Sequence, residues 1–263
     1  MQSARFYGEF NRAICVRLSK DYLPRTMSRA SEFNLPGLNA YFSHQQNDFR
    51  ISKPFGPNIL ETRLPESVYT SLLSLSSALL GDDQRRSYGP HLVGQIREEP
   101  EIPLELLDEY GVLDYIRGMF AEYVLASVYC DADDAYKEAV AEFQAGPDYR
   151  NPVRIDVEAA WLVSQQAGEY NPIHNHSQST LSSVLYLQVP ENLDESPLPG
   201  KTSVDGCIEW VNESAQPLHN ATVRLTPRPR MFYIFPASLL HLVYPFKGSQ
   251  ERRSISINAT HEF

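Results

Sequence analysis

The sequence predicts a mostly β protein with flanking helices (α+β), in which the helices come first and the strands follow. Two observations favour this class. Between residues 65 and 143, apolar residues recur every three or four positions in several segments, which is typical of helices packed on a core. After Asn151, short runs of β-branched and aromatic residues alternate with turn residues. Helices packed beside a mostly antiparallel sandwich or barrel fit that order.

The chain has 263 residues, which is long enough for one large domain. Residues 1–52 show no clear periodicity, and we interpret them as an N-terminal extension. We expect residues 53–263 to form a single domain, with helical support over 53–150 and the β-rich core over 151–263.

Three helical segments are predicted in the support region. The first covers 65–81, where the apolar residues lie at helical spacing and a glycine ends the run. The second covers 103–124; it opens on a proline, which suits the first turn of a helix, and a break is expected at Gly111. The third covers 133–143 and is ended by the Gly-Pro pair at 146–147.

The core region contains a series of predicted strands. They read RIDVEAAWLVSQ, LSSVLYLQVP, CIEWVNE, ATVRLTP, RMFYIFP and RRSISINAT, and turn residues separate them. The polar stretch 191–206 is predicted to be a long loop.

The composition narrows the range of partners. A formal net charge of −10 repels a phosphate backbone, so no nucleic acid is expected. No stretch has the roughly 20 apolar residues of a membrane span, and the N-terminus has no apolar segment of the kind that secretory signals carry. Three cysteines without a CxxC spacing predict reduced thiols and a cytoplasmic setting. A homodimer is compatible with the sequence.

The segment NPIHNH at 171–176 is the first candidate for chemistry. On an extended backbone, His174 and His176 project from the same face, and two imidazoles side by side are part of a metal site. They could equally be loop histidines in a turn set by the preceding Asn-Pro pair. His241, on a late predicted strand, is the third imidazole that a metal site would need. Three such ligands leave one side of the metal open for other ligands.

The segment ERRSISIN is the second candidate. As a strand it places four polar side chains on one face: Arg252, Ser254, Ser256 and Asn258. A guanidinium can grip a carboxylate through two hydrogen bonds, and a neighbouring hydroxyl adds a third, so this face suits a dicarboxylate. One of two adjacent strand arginines usually pairs with a surface carboxylate. Arg253 on the opposite face therefore stays an alternative anchor.

These motifs occur together in one known family. The strings EYNPIHNHS, LYLQVP, DGCIEWV and FYIFPASLLHLVYPFKGSQERRSISINA resemble the 2-oxoglutarate/Fe(II)-dependent oxygenases, in particular a branch common in marine phages and bacteria. The resemblance covers roughly residues 53–260. It implies a double-stranded β-helix (jelly-roll) core over 151–263, preceded by flanking helices. It also implies Fe(II) and 2-oxoglutarate as cofactors and the coupled oxidation of a small-molecule or peptide substrate.

The resemblance assigns roles to individual residues. His174 matches the first metal ligand of the family motif, His176 the second and His241 the distal one. Arg252 and Ser254 match the anchor for the cosubstrate. In addition, Tyr186 on an earlier predicted strand either packs in the core or hydrogen-bonds the cosubstrate.

Three positions depart from the usual pattern. His176 stands where an aspartate is usual in the wider family, so the ligand set has one negative charge fewer. Asp205 or Glu209 could supply a carboxylate ligand instead. Ser183 and Arg230 stand where members of the branch have glycine, and both are positions of backbone fit more than of chemistry.

A second hypothesis keeps the metal and leaves out the cosubstrate. Three histidines suit Zn(II), Ni(II) and Fe(II) almost equally. The chain could therefore be a cupin-like metal-binding protein, either a 2-oxoglutarate-independent dioxygenase or a binding module without catalysis. Arg252 discriminates between the two hypotheses, because only the first needs a carboxylate anchor.

Overall fold

The fold is known from a computed structural model. It describes residues 15–16, 49–52, 56–130, 153–191, 193, 195, 198, 200–212 and 221–263. The predicted helix over 133–143 and most of the N-terminal extension lie outside the described residues.

Three helices lie in the described part of the support region: α1 (Glu66–Gly81), α2 (Leu104–Glu109) and α3 (Leu113–Cys130). The first two predicted segments are thus confirmed. The predicted break lies at Gly111, whose φ of 68° is the left-handed conformation that favours glycine and ends α2. None of the described helices has the length and apolar character needed to cross a membrane.

Eleven strands are described, and every pairing among them is antiparallel. They are β1 (Cys15–Val16), β2 (Phe49–Ser52), β3 (Ile59–Arg63), β4 (Arg154–Gln165), β5 (Asn171–His174), β6 (Leu181–Gln188), β7 (Ile208–Val211), β8 (Thr222–Leu225), β9 (Met231–Pro236), β10 (Leu240–Val243) and β11 (Arg252–Glu262). They form a seven-stranded sheet of order β1-β2-β3-β9-β6-β11-β4 and a four-stranded sheet of order β5-β10-β7-β8. From β4 onward the chain passes repeatedly between the two antiparallel sheets, with only β7 and β8 following each other in one sheet, and this arrangement forms the predicted jelly roll.

The large sheet is covered on both faces. Its inner face meets the small sheet around Tyr186, Trp210, Tyr233 and Phe235. The outer face carries alternate residues such as Leu185, and packs against α1 and α3 in a larger apolar cluster. Because β6 is buried on both faces, seven of its eight residues are buried and its sequence shows no polar alternation. The flanking helices are therefore an integral part of the β core.

The two departures from glycine have separate structural explanations. Ser183 lies buried in β6, and its hydroxyl donates to the carbonyl oxygen of Ile257 at 3.2 Å. Arg230 has a φ of 72°, so the position adopts the left-handed conformation for which glycine is suited. Its guanidinium donates to the carbonyl oxygen of Leu64 at 2.8 Å and pairs with Glu66 at the start of α1. The side chain thus ties the helix to the sheet and offsets the backbone strain.

This offset predicts a ranking of two variants. Arg230→Ala removes the side-chain bonds and keeps a strained backbone, so we expect the free energy of unfolding to fall by about 2 kcal/mol. Arg230→Gly removes the same bonds but relieves the strain, so it should be about 1 kcal/mol more stable than the alanine variant. Urea unfolding followed by circular dichroism measures both. An alanine variant as stable as the glycine variant would contradict the argument.

Candidate metal centre

Strand pairing brings the three predicted histidines together. His174 is the last residue of β5, and His241 lies directly opposite on β10. The backbone N–H of His176 donates to the carbonyl oxygen of Ala237 at 2.9 Å, which holds the chain beyond β5 against the same edge. One ring nitrogen from each histidine lies within 4.8 Å of the others, and Nε2 of His176 is 3.4 Å from Nε2 of His241. Two nitrogens about 2.1 Å from a shared ion lie that far apart at an angle of about 110°, so the spacing fits a metal.

Hydrogen bonds at Nδ1 leave the Nε2 atoms free. Nδ1 of His174 lies 2.7 Å from the carbonyl oxygen of Pro172, and Nδ1 of His241 lies 2.9 Å from that of Leu239. Because a carbonyl oxygen only accepts, each Nδ1 carries the proton and each Nε2 keeps its lone pair. A backbone carbonyl on the far ring nitrogen is the usual support for a histidine that binds metal.

The third imidazole is supported by an amide. Nδ1 of His176 lies 3.0 Å from the amide nitrogen of Asn258, while Oδ1 of that amide is buried without a hydrogen-bond partner. Turning the amide by half a rotation places Oδ1 on Nδ1, where it accepts the Nδ1 proton. Each of the three rings then has one unprotonated nitrogen, and one ring nitrogen from each histidine lies within 4.8 Å of the others. The residues therefore fit a metal ion.

Burial keeps the imidazoles neutral. It lowers the pKa of His241 well below the usual value of a histidine, and neighbouring imidazoles lower it further. Burial, followed by repulsion from His174, lowers the pKa of His176 to about 4. Burial lowers the pKa of His174 as well. Neutral imidazole is the form that binds metal, so the site needs little proton release at neutral pH.

Arg252 is a buried cation without an acidic partner. It is 1 % exposed at the start of β11, and its register partner on β4 is Gln165. Nη1 donates to Oε1 of Gln165 at 3.0 Å and Nη2 to the hydroxyl of Tyr186 at 3.2 Å, while Nε has no partner. No described carboxylate forms an ion pair with it. Because a buried unpaired charge is costly, this geometry favours an anion bound beside the guanidinium.

The neighbouring Arg253 faces the other way. It pairs with Glu251 through Nε at 2.9 Å and Nη2 at 2.6 Å, and it approaches Ser76 on α1. Of the two arginines, Arg252 is the one that lines the pocket with the histidines. Its role as an anchor stays a prediction.

One pocket contains nearly all the predicted site residues. It is lined by the three histidines, Arg252 and Ser254, with further serines between them: Ser182, Ser183 and Ser256. Tyr186 is fully buried and does not line this pocket; its ring lies under the guanidinium of Arg252, 4.8 Å from ring centre to Cζ. Tyr186 therefore positions Arg252, and direct contact with a cosubstrate stays a prediction.

The two alternative carboxylate ligands lie outside the histidine cluster. Glu209 opposes Leu242 on β10 and points away from the side on which His241 lies. Its carboxylate accepts hydrogen bonds from Arg224 at 3.0 and 3.1 Å and from the hydroxyl of Tyr244. Asp205 is likewise absent from the group of side chains that could hold a metal.

Sequence reasoning missed one acidic residue of the pocket. Glu99 is 3 % exposed and lines the pocket together with the histidines. It lies between α1 and α2 in a segment that adds isolated bridges to β4, from Glu98 to Ser164 and from Glu101 to Trp161. Burial, together with repulsion from Glu169, raises the pKa of Glu99 to about 7. The string REEPEIP carries no signal that its second glutamate is the buried one.

The fold and the pocket define a jelly-roll protein with a candidate site for a single metal ion. The comparison with protein families adds a match: residues 159–258 fit the model of the family described as "Putative 2OG-Fe(II) oxygenase". The predicted resemblance is thereby confirmed for the segment that carries the three histidines and Arg252. No curated protein matches the chain.

Solved structures of similar shape come from several organisms. A prolyl-4-hydroxylase from Pseudomonas putida is 13 % identical, with 81 % of this chain and 92 % of that chain covered and a TM-score of 0.43. A prolyl hydroxylase from Trichoplax adhaerens, in complex with a hypoxia inducible factor peptide fragment, is 15 % identical, with coverage of 93 % and 95 % and a TM-score of 0.45. HygX from Streptomyces hygroscopicus, with nickel and 2-oxoglutarate bound, is 12 % identical, with coverage of 76 % and 81 % and a TM-score of 0.45.

The raised pKa of Glu99 predicts a pH-dependent loss of stability in the metal-free protein. A carboxyl whose pKa is about 7 when folded and about 4.5 when unfolded destabilises the fold above pH 4.5, and the full effect is reached above pH 7. Glu99→Gln should therefore stabilise the protein relative to wild type more at pH 8 than at pH 5. We expect its gain in the free energy of unfolding to be larger at pH 8 by between about 1 and 3 kcal/mol.

Urea unfolding in the presence of a chelator at the two pH values measures this difference. Glu101→Gln is the matched control, since Glu101 lies on the same segment with a side chain that is 38 % exposed. An equal gain in stability of the Glu99 variant at pH 5 and at pH 8 would contradict the raised pKa of Glu99.

Proposed function

We propose that this protein is a 2-oxoglutarate- and Fe(II)-dependent oxygenase that hydroxylates a small-molecule or peptide substrate. The observation that carries the proposal is Arg252, a buried guanidinium without an acidic partner in the pocket that three histidines line. Three histidines account for a metal, but a metal alone gives no reason to bury a cation nearby. A ligand that chelates the metal at one end and presents a carboxylate at the other satisfies both features, and 2-oxoglutarate is such a ligand.

The histidines would hold Fe(II) through their Nε2 atoms. When bound there, the iron supplies the oxidation of a substrate C–H bond to C–OH, in which dioxygen and 2-oxoglutarate are consumed and succinate and CO2 are released. The protein's own task is to fix the ligands. Carbonyl oxygens hold two of the rings at Nδ1, and the ring of Phe235 packs edge-on against His241 with centroids 5.0 Å apart.

Arg252 would bind the far carboxylate of the cosubstrate. Gln165 and Tyr186 each accept one hydrogen bond from the guanidinium, which fixes its plane and leaves other N–H groups for an anion. The hydroxyl of Ser254 follows on the same face of β11 and can add a donor. Apolar residues such as Val184 and Phe235 line the pocket as well and limit the access of water to the bound carboxylate.

The second candidate function is a cupin-like metal protein that does not use 2-oxoglutarate. The all-histidine cluster favours it, because the usual site of a non-haem iron oxygenase has two histidines and one carboxylate. Such a site would accept Zn(II) or Ni(II) as readily as Fe(II). The two candidates differ in what Arg252 is for.

The oxygenase proposal predicts that 2-oxoglutarate binds only when Arg252 is intact. Losing one partner of a buried charge pair costs about 2 kcal/mol or more, so Arg252→Gln should weaken 2-oxoglutarate binding by about 30-fold or more. The measurement is anaerobic titration of the Fe(II)-loaded protein with 2-oxoglutarate, followed by the change in the optical spectrum of the metal. Arg253→Gln is the matched control at the next residue and should bind as tightly as wild type.

The same proposal predicts turnover of the cosubstrate. Protein incubated with Fe(II), ascorbate, dioxygen and 2-oxoglutarate should form succinate, and His241→Ala should reduce this to background because it removes a metal ligand. Metal binding without any spectral response to 2-oxoglutarate would contradict the oxygenase and support the cupin-like candidate. Succinate formation that is equal in the wild type and in the His241→Ala variant would contradict a role for the three histidines.

A further inference from the structure

Glu99 is the acidic side chain among the described residues that line the pocket. Although it is 97 % buried, its carboxylate forms no hydrogen bond or ion pair with the described side chains. Its backbone oxygen accepts from the N–H of Tyr88 at 2.7 Å, so the main chain is satisfied and the side chain is not. A buried carboxyl without a partner is costly and calls for a function.

The backbone holds Glu99 in this position from both sides. The N–H of Ser164 donates to the carbonyl oxygen of Glu98 at 3.0 Å, and the N–H of Leu162 donates to that of Pro100 at 2.9 Å. Both bonds come from β4, so this segment is fastened to the edge of the large sheet. These bonds therefore fix the backbone of Glu99, and its side chain lines the pocket.

The surroundings are fitted closely to this carboxyl. A Cβ at Gly94 would lie 3.2 Å from Oε1 of Glu99 and 2.2 Å from Oδ1 of Asn171. The second distance excludes any side chain at Gly94 unless Asn171 moves. Glycine at position 94 thus allows the backbone to pass close to Asn171 and to the Glu99 carboxyl.

The charges of the site explain what the carboxyl is for. Three neutral imidazoles bring no negative charge to a divalent metal, whereas the usual ligand set brings one carboxylate. Fe(II) carries +2, 2-oxoglutarate carries −2 and Arg252 carries +1, so the loaded pocket would have a net charge of +1. An ionised Glu99 brings the sum to zero. In the pocket without metal, by contrast, the carboxyl has no cation in contact.

We propose that Glu99 supplies, from outside the ligand shell, the negative charge that the all-histidine site lacks, and so increases its affinity for a divalent metal ion. The inference rests on that part of the proposed function in which the three histidines bind metal. Glu99 does not belong to the group of ligand atoms that lie within 4.8 Å of one another, so it acts through its electric field across the pocket. Glu99 thus affects the metal ion through its negative charge and does not coordinate it.

The test is a titration of the full, metal-free chain with Zn(II), which is redox-inert and suits histidine sites. Glu99→Gln keeps the shape and removes the charge, so Zn(II) should bind about tenfold more weakly or worse than to wild type. Glu99→Asp keeps the charge inside the pocket on a shorter side chain, so its affinity should stay within about threefold of wild type.

Glu169→Gln is the matched control. Glu169 is also buried, but its carboxylate lies 3.6 Å from Arg97, accepts from the N–H of Gln166 at 2.8 Å and does not line the pocket. This variant should bind Zn(II) no more weakly than wild type. Circular dichroism and thermal melting of each variant confirm that the fold is intact.

Three outcomes would overturn the inference. Wild-type affinity in Glu99→Gln would show that the charge has no effect on the metal. Equal losses in Glu99→Gln and Glu99→Asp would show that the carboxylate acts by direct contact instead of through its charge. If the wild type binds no Zn(II), the basis of both proposals is lost. If the wild type binds Zn(II) and 2-oxoglutarate, and Glu99→Gln binds Zn(II) equally well, only this inference is refuted.

Discussion

The antiparallel pairing of β5 with β10 is the constraint on which the site depends. Residues that face each other across two such strands have Cβ atoms about 5 Å apart, and this is what brings His241 beside His174. A shift of one residue in this register would turn His241 to the opposite face of the small sheet. The hydrogen bond from His176 to Ala237, next to the turn that leads into β10, holds the second imidazole to the same pairing. The candidate metal centre is therefore a property of strand register in the small sheet.

The pocket also concentrates electrostatic cost that the rest of the fold must offset. Arg252 is a buried cation, Glu99 is a buried carboxyl whose pKa is raised to about 7, and the two are not paired with each other. Burying such groups without partners destabilises a protein by several kcal/mol unless bound ligands pair with them. The large apolar cluster between the outer face of the large sheet and helices α1 and α3 supplies the compensating stability. Such a site is preorganised, because its charged groups are oriented by folding and not by ligand binding.

The sequence predicted local structure well and distant contacts only in part. Helical spacing located α1, and the alternation in ERRSISIN correctly grouped Arg252 with Ser254 on one face, because both patterns depend on backbone geometry alone. Which face points inward depends on the partner sheet, so the choice between Arg252 and Arg253 needed the structure. His241 was proposed as the third ligand because a metal site needs one, and the family resemblance supported it, since spacing along the chain does not encode strand pairing. The burial of Glu99 could not be predicted from the sequence, because it depends on how an irregular segment packs on β4.

Strand β11 links the two ends of the site. Arg252 opens it and Asn258 lies six positions further on the same face, about 20 Å away at 3.3 Å per residue. The register of β11 slips near both residues: against β6 between Arg253 and Ser254, and against β4 between Asn258 and Ala259. Irregularities of this kind re-aim the neighbouring side chains, and they occur beside active sites more often than elsewhere. Because Arg252 would hold the far carboxylate while Asn258 supports the ring of His176, one strand positions both the cosubstrate anchor and a ring at the candidate metal centre.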